Sequence, residues 1–183
     1  MEIYSIDKSF VNEANKIAEN IAYVRCPKTT WWNDSNKTND PNIVDEGQFV
    51  HELLTEGKVV SPFFEFYKKV FDGLDLKIHI LARMKINLCF PIINNHADSY
   101  QIPHYDVLPD DVKNHEYTFK SFFVYLNNSD GDTVFFKDNV VDKRVKFETG
   151  KGILFNSDLL HAGQNPMKHN SRLVLTTVFA EKK

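Results

Sequence analysis

The sequence predicts a mainly β domain of the α+β type: a β-sandwich or jelly roll with N-terminal helices packed on one sheet. Three observations predict it. Apolar residues recur at helical spacing before about residue 74, and they alternate with polar ones after it. Turn-rich stretches then cut the second part into short strands with no helices between them. Such a series argues an antiparallel sandwich or barrel, not a parallel βαβ sheet. At 183 residues one domain is expected, with 1–75 as a helical support region and 76–181 as the β core.

Each element follows in order. Phe10, Ala14, Ile17 and Ile21 step by three and four, which makes an apolar helix face behind a Ser9 cap. Loop 28–46 is polar with Trp31 and Trp32 near its root, and it reads either as an anchored surface loop or as a lid over a site. Ser61-Pro62 supplies a cap and a first-turn proline, and Gly73 a stop. Between them Phe63, Phe66, Tyr67, Val70 and Phe71 form a stripe, so this helix should buttress the sheet. Leu76, Ile78 and Ile80 alternate with polar neighbours, as do Met84, Ile86 and Leu88. Further strands are expected at 100–106, 119–126, 133–137, 140–148, 152–156 and 171–180, separated by turns such as 127–132, 137–139 and 149–152.

Composition excludes several classes. With 22 basic and 25 acidic residues the net charge is −3, a poor match to a nucleic-acid backbone. No apolar run approaches the roughly 18 residues of a membrane span, and the start does not read as a leader. Two cysteines, Cys26 and Cys89, are too few for a disulfide framework. Each reads as a small buried hydrophobe, and a reducing, cytoplasmic setting is expected. Dinucleotide, phosphate-loop, Cys-x-x-Cys and nucleophile-elbow motifs are all missing.

The seven histidines carry more. An oxidative metal site wants two neutral imidazoles and one carboxylate on one side of an ion, with positions left open. His-x-Asp on a strand places two such ligands on one face. Chance alone gives roughly 0.6 such pairs here, so the motif is weak by itself. The chain has two, His96-Ala97-Asp98 and His104-Tyr105-Asp106. The first lies in a turn-like stretch; the second follows Pro103, which favours extended backbone. His104 and Asp106 are therefore the candidates. His161 follows an apolar strand and a short turn, and alone it also reads as a backbone-satisfied buried histidine. Arg172 heads a β-branched strand, where an unpaired guanidinium would be costly and a bidentate carboxylate would suit it. His51, His115 and His169 read as surface residues.

In order, the chain carries Pro103-His104-Tyr105-Asp106, Phe122-Phe-Val-Tyr125-Leu-Asn127, Gly131-Asp-Thr-Val-Phe-Phe136, Gly152-Ile-Leu-Phe-Asn, His161-Ala-Gly and Arg172-Leu-Val-Leu-Thr176. Over residues 83–180 it thereby resembles the Fe(II)- and 2-oxoglutarate-dependent oxygenases, in their prolyl 4-hydroxylase-like branch. The resemblance implies a double-stranded β-helix, the jelly roll of that family. It implies Fe(II) on His104, Asp106 and His161, and Arg172 paired with the distal carboxylate of 2-oxoglutarate. Tyr125 matches the position whose phenol bonds the same carboxylate, or reads as an edge or core tyrosine with its hydroxyl satisfied, and Thr176 matches a position whose hydroxyl assists. Asn87 reads either as a contact to the cosubstrate or the metal-bound oxygen, or as part of a solvated strand face. O₂ would be the co-reactant and ascorbate a stimulant. The implied reaction hydroxylates a C–H bond of a peptide side chain, of prolyl type, or of a small amino-acid-like metabolite.

Two other readings stay open. A cupin-type metalloenzyme would bind its substrate directly and use no 2-oxoglutarate. A non-catalytic jelly-roll module would bind peptide or sugar through Trp31, Trp32 and the acidic loop 106–116. The loops 28–46 and 107–118 carry Asp34, Asp40, Asp110, Asp111 and Glu116, which favours a neutral or basic target. Oligomeric state is not readable.

Overall fold

The alternating segments close into two antiparallel sheets in the computed structural model, which describes residues 1–26, 40–44, 48–113 and 116–183. Trp31, Trp32, most of loop 28–46 and His115 lie outside the described residues. In chain order the elements are β1 (Glu2–Ser5), α1 (Lys8–Ala18), β2 (Val24–Arg25), β3 (Phe49–Thr55), β4 (Lys58–Val59) and α2 (Phe64–Lys68), which tightens into a 3₁₀ turn at Lys69–Phe71. Then come β5 (Ile80–Cys89), α3 (Pro109–Lys113), β6 (Tyr117–Tyr125), β7 (Thr133–Lys137), β8 (Val140–Val145), β9 (Lys151–Asn156), β10 (His161–Gly163) and β11 (Arg172–Lys182).

The larger sheet has the order β1-β9-β6-β11-β5-β3-β2, with β4 folded back on β3; the smaller has β10-β7-β8. The extended segment at 101–104 adds to the smaller sheet beside β10. Gln101 N donates to Gly163 O, and His104 bridges His161. From β5 onward the chain thus alternates between sheets: large, small (101–104), large (β6), small (β7 and β8), large (β9), small (β10), large (β11). That winding is the double-stranded β-helix, so the fold is the expected jelly roll.

The two faces of the larger sheet have different jobs. Its outer face presents Met84, Ile86, Phe122, Val124, Leu154, Leu173, Leu175 and Phe179 to Val11, Ala14, Ala18, Phe64, Tyr67 and Val70 of the helical layer. The Tyr67 hydroxyl also donates to Ala14 O at 2.7 Å, which ties α2 to α1. The inner face presents Phe123, Tyr125, Ile153, Phe155 and Val174 to Phe135, Val145 and Phe147 of the facing layer. Strand β11, central and buried from Arg172 through Ala180, is the axis on which both layers rest.

The structure corrects several local expectations. The cap of α1 is Asp7, whose carboxylate accepts from Phe10 N at 2.9 Å; Ser9 lies inside the helix and donates its hydroxyl to Asp7. Asp and Ser rank alike as N-caps; Asp7, two residues earlier, stands where the helix begins. Ser61 does accept from Phe63 N, but α2 is only five residues long. It tightens before Gly73, whose φ of +77° closes the element. Leu76 and Ile78 make no strand. They pack on the helix-side core without a ladder partner, and pairing begins at Ile80. The residues before 75 supply strands as well as helices: β1 pairs with β9, and β3 pairs with β5. No helix among the described residues is long and apolar enough to cross a membrane.

Candidate metal centre

His104 and His161 face each other across the 101–104 segment and β10 as a directly hydrogen-bonded pair. His104 N donates to His161 O at 2.8 Å, and His161 N donates to His104 O at 3.0 Å. Opposed residues share a face, and the two ring centroids lie 4.6 Å apart. Asp106 follows at a bend held by its N–H to Ser157 O, 3.0 Å. One ligand atom from each of the three residues lies within 4.8 Å of the others.

Each imidazole is oriented the same way. His104 Nδ1 sits 3.2 Å from Ile102 O, and His161 Nδ1 sits 2.9 Å from Leu159 O. A carbonyl only accepts, so the proton is on Nδ1 and the Nε2 lone pair is free. Burial, with the neighbouring imidazole second, pulls the His104 pKa down to about 4, and burial also pulls His161 down. Both rings are therefore neutral at pH 7. The Nε2 of His161 is buried with no hydrogen-bond partner, 3.7 Å from Asp106 Oδ2. An orphaned buried acceptor costs about 1–3 kcal/mol unless something fills it.

Asp106 is held from behind. Its Oδ2 accepts from Ser121 Oγ at 2.6 Å, Ser121 in turn meets Ser157, and the Arg83 guanidinium pairs with Oδ1. Burial opposes its charge, but His161, Arg83, His104 and the Ser121 hydroxyl together hold the carboxyl well below the usual range. Two neutral imidazoles and one ionised carboxylate, with a buried lone pair left over, fit a divalent transition ion. Phe123, Phe135 and Phe155 ring His161 with centroids 5.0–6.1 Å from its own, which makes this wall dry.

A second polar group lies inside the same barrel. Arg172 opens β11 opposite Cys89, buried; its Nε donates to Gly131 O at 2.8 Å and Nη2 to Thr133 Oγ1 at 3.0 Å. Its guanidinium lies against the Tyr125 and Phe147 rings, at 5.9 and 5.6 Å. Among the described residues no carboxylate pairs with it. Tyr125 OH donates to the same Thr133 Oγ1 at 2.7 Å, and burial pushes its phenol up to about 12. Gly131 has no room for a side chain: a Cβ there would meet Gln164 O at 2.3 Å and Arg172 Cδ at 2.7 Å. On the inner face of β5, Asn87 Nδ2 donates to Thr176 Oγ1 at 3.0 Å, while Asn87 Oδ1 is buried without a partner. Asn87 is thus inside the barrel and not on a solvated face.

His104, Asp106 and His161 come together, and so do Arg172 with Tyr125, and Asn87 with Thr176. The His96–Asp98 pair lies exposed in a turn. His51 is half-buried, not a surface residue, with its two nitrogens at Ala22 O and Ser61 Oγ. His169 lies 3.2 Å from Asp130, away from the centre. Cys89 is buried and Cys26 only half-buried. Sequence reasoning passed over Thr133, Ser121 and Arg83. Their positions in the Gly131-Asp-Thr segment, on β6 and on β5 were the available signals.

No protein-family model matches the chain, and no curated protein does. Its fold is similar to solved structures. A prolyl-4-hydroxylase from Pseudomonas putida shares 16% identity over 100% of this chain and 92% of its own, with a TM-score of 0.56. A 2OG-Fe(II) oxygenase family oxidoreductase from Burkholderia pseudomallei shares 14% over 98% and 94%, with a TM-score of 0.54. A prolyl hydroxylase from Trichoplax adhaerens, in complex with a hypoxia inducible factor oxygen degradation domain peptide fragment, shares 12% over 99% and 83%, with a TM-score of 0.55.

Proposed function

We propose that this chain is a 2-oxoglutarate-dependent oxygenase that holds Fe(II) on His104, Asp106 and His161 and hydroxylates a C–H bond. One observation carries the reading. An imidazole–carboxylate–imidazole cluster, with the His161 Nε2 buried and without a hydrogen-bond partner, shares a barrel interior with a buried arginine that has no carboxylate partner among the described residues. When bound, Fe(II) would supply the chemistry that couples O₂ and the oxidative decarboxylation of 2-oxoglutarate to succinate and CO₂ with hydroxylation of an unactivated C–H bond.

The chain's own residues do the rest. The carbonyls of Ile102 and Leu159 fix the imidazole tautomers, and Ser121 and Arg83 fix the Asp106 rotamer. Arg172, aligned by Gly131 and Thr133, offers its remaining donors to the far carboxylate of the oxo acid, with the Tyr125 phenol beside it. Asn87 and Thr176 form a polar strip along the same wall, and the phenylalanines keep water away from His161. The substrate in this reading is a peptide side chain of prolyl type or a small amino-acid-like metabolite, in a cytoplasmic setting, with ascorbate as a stimulant.

The test is succinate formation from 2-oxoglutarate in the presence of Fe(II). It should vanish in H104A, D106A and H161A protein, while R172A should raise the 2-oxoglutarate requirement. Full activity in H161A would end the assignment. Activity independent of 2-oxoglutarate would instead point to the cupin-type reading, and absence of any bound divalent ion to a binding module.

A further inference from the structure

The inner face of β5 carries a charged side chain, Lys85, whose acidic neighbours Asp106 and Glu52 are each bonded to another residue. Alternation puts Arg83, Lys85, Asn87 and Cys89 on one side of the strand. Their contacts identify that side as the barrel interior: Arg83 reaches Asp106, Asn87 reaches Thr176, and Cys89 meets Gln101. Met84 and Ile86, on the other side, lie in the helix-side core. Lys85 stands in the middle of this row, half-buried and directly opposite Thr176 on β11. Its charge is felt by His104, His161 and Asp106 at one end, and by Cys89 at the Arg172 end.

Lys85 makes no hydrogen bond or ion pair with any described residue. The carboxylate among its neighbours, Asp106, is already taken by Arg83 and Ser121. Its cross-strand neighbour Glu52 is exposed and accepts from Thr55 instead. Among the described residues this face therefore sets three cations, Arg83, Lys85 and Arg172, against two carboxylates, the bonded Asp106 and the exposed Glu52. A divalent ion would add two more positive charges. Partly desolvated, unpaired cations are costly, and an anionic ligand offsets that cost.

We propose that Lys85 anchors a carboxylate at the metal-facing end of the pocket, the end opposite Arg172. The inference deepens the oxygenase reading and rests on it. The acid group has two sources, the metal-side carboxylate of the oxo acid or a carboxylate on the substrate, and in the second case a free acid is favoured over a residue within a peptide.

Full-length wild-type, K85M and K85R protein are titrated calorimetrically, with Mn(II) as an O₂-inert ion and circular dichroism as a check of folding. In the first arm the probes are 2-oxoglutarate and pyruvate; pyruvate keeps the metal-side acid and lacks the distal one. A charged hydrogen bond is worth about 1.5–3 kcal/mol, or about 10–100-fold in affinity. If the oxo acid is the source, K85M loses about tenfold or more on both probes and K85R recovers most of it. In the second arm, protein saturated with Mn(II) and 2-oxoglutarate is offered L-proline and L-prolinamide. If the substrate is the source, wild type prefers the acid by about tenfold and K85M does not. Binding by K85M equal to wild type in both arms overturns the proposal. No heat of Mn(II) binding in wild type would instead remove the oxygenase reading. Lys85 is then judged on metal-free protein, where succinate must raise the wild-type melting temperature more than that of K85M, and an equal rise overturns it.

Discussion

Replacing Thr133 by valine removes one oxygen and leaves the volume nearly unchanged. Thr133 is fully buried, and its hydroxyl accepts from both the Tyr125 phenol, at 2.7 Å, and Arg172 Nη2, at 3.0 Å. The variant strands two buried donors at once. A neutral O–H left unpaired costs about 1–3 kcal/mol, and a hydrogen bond to a charged group is worth about 1.5–3 kcal/mol. Arg172 keeps its bond to Gly131 O, so the sum lies at about 3–5 kcal/mol. For a domain of this length each kcal/mol moves the melting temperature by about 2–4 °C, so T133V should melt about 6–20 °C below wild type. T133S keeps the oxygen and loses a methyl, worth about 1 kcal/mol. Thermal unfolding followed by circular dichroism separates the two. Calorimetric titration of Mn(II)-loaded protein with 2-oxoglutarate adds a readout that plain packing would not move: T133V should bind about tenfold more weakly, because Tyr125 and Arg172 lose their common anchor. If T133V and T133S melt together and bind alike, the shared hydroxyl is not the node that aligns them.

Other expectations follow from single contacts. D7A should lower stability by about 1 kcal/mol through loss of the α1 cap, and S9A by clearly less; equal losses in urea unfolding would return the cap to Ser9. G131A forces a methyl into Gln164 O and the Arg172 stem, so it should cost about 2–3 kcal/mol and weaken 2-oxoglutarate binding, read by melting and titration. Burial works against the Asp130 charge, but the Met167 N–H, His169 and the Lys168 N–H outweigh it and hold the carboxyl below its ordinary value. Stability from a depressed acid is present above its unfolded value near 3.9 and lost as pH falls through the folded one. D130N should therefore melt lower than wild type at pH 7, and the gap should close as melts are repeated toward pH 3.

The legible part of the fold was the part written in local alternation. β7 spans 133–137 as expected, and β6, β9 and β11 begin and end within two residues of their expected bounds. Turn residues bracket each of them. β3 was missed because its register shifts between Glu52 and Leu54, so that Leu53 and Leu54 are both buried in succession and the period of two breaks. The opposite failure occurred at Leu76 and Ile78, where alternation is real but no neighbouring strand is there to pair with. The cluster of His104, Asp106 and His161 was legible because Pro103 and the apolar run before His161 set their backbones locally. Thr133 and Ser121 were not, since a small hydroxyl gains its meaning only from what a distant strand brings to it.

The row Arg83, Lys85, Asn87 exposes a deeper ambiguity in strand patterns. Alternation reports that two faces differ, not which of them meets water. In an ordinary sandwich the apolar face turns inward and the polar one outward. Here the larger sheet reverses the rule along β5: Met84 and Ile86 point outward, where the helical layer buries them, and the polar residues point into the barrel. The helices are what make this possible, because they supply a dry core on the far side and free the interior for polar groups. Each of those groups then has to be satisfied inside. Arg83 Nη2 and Asn87 Nδ2 manage it through Asp106 and Thr176, while Arg83 Nε, Asn87 Oδ1 and His161 Nε2 are buried without a partner among the described residues. All three belong to residues that reach into the barrel interior. That is the arrangement expected of a cavity whose ligands, a cation and an acid, complete its bonding on arrival.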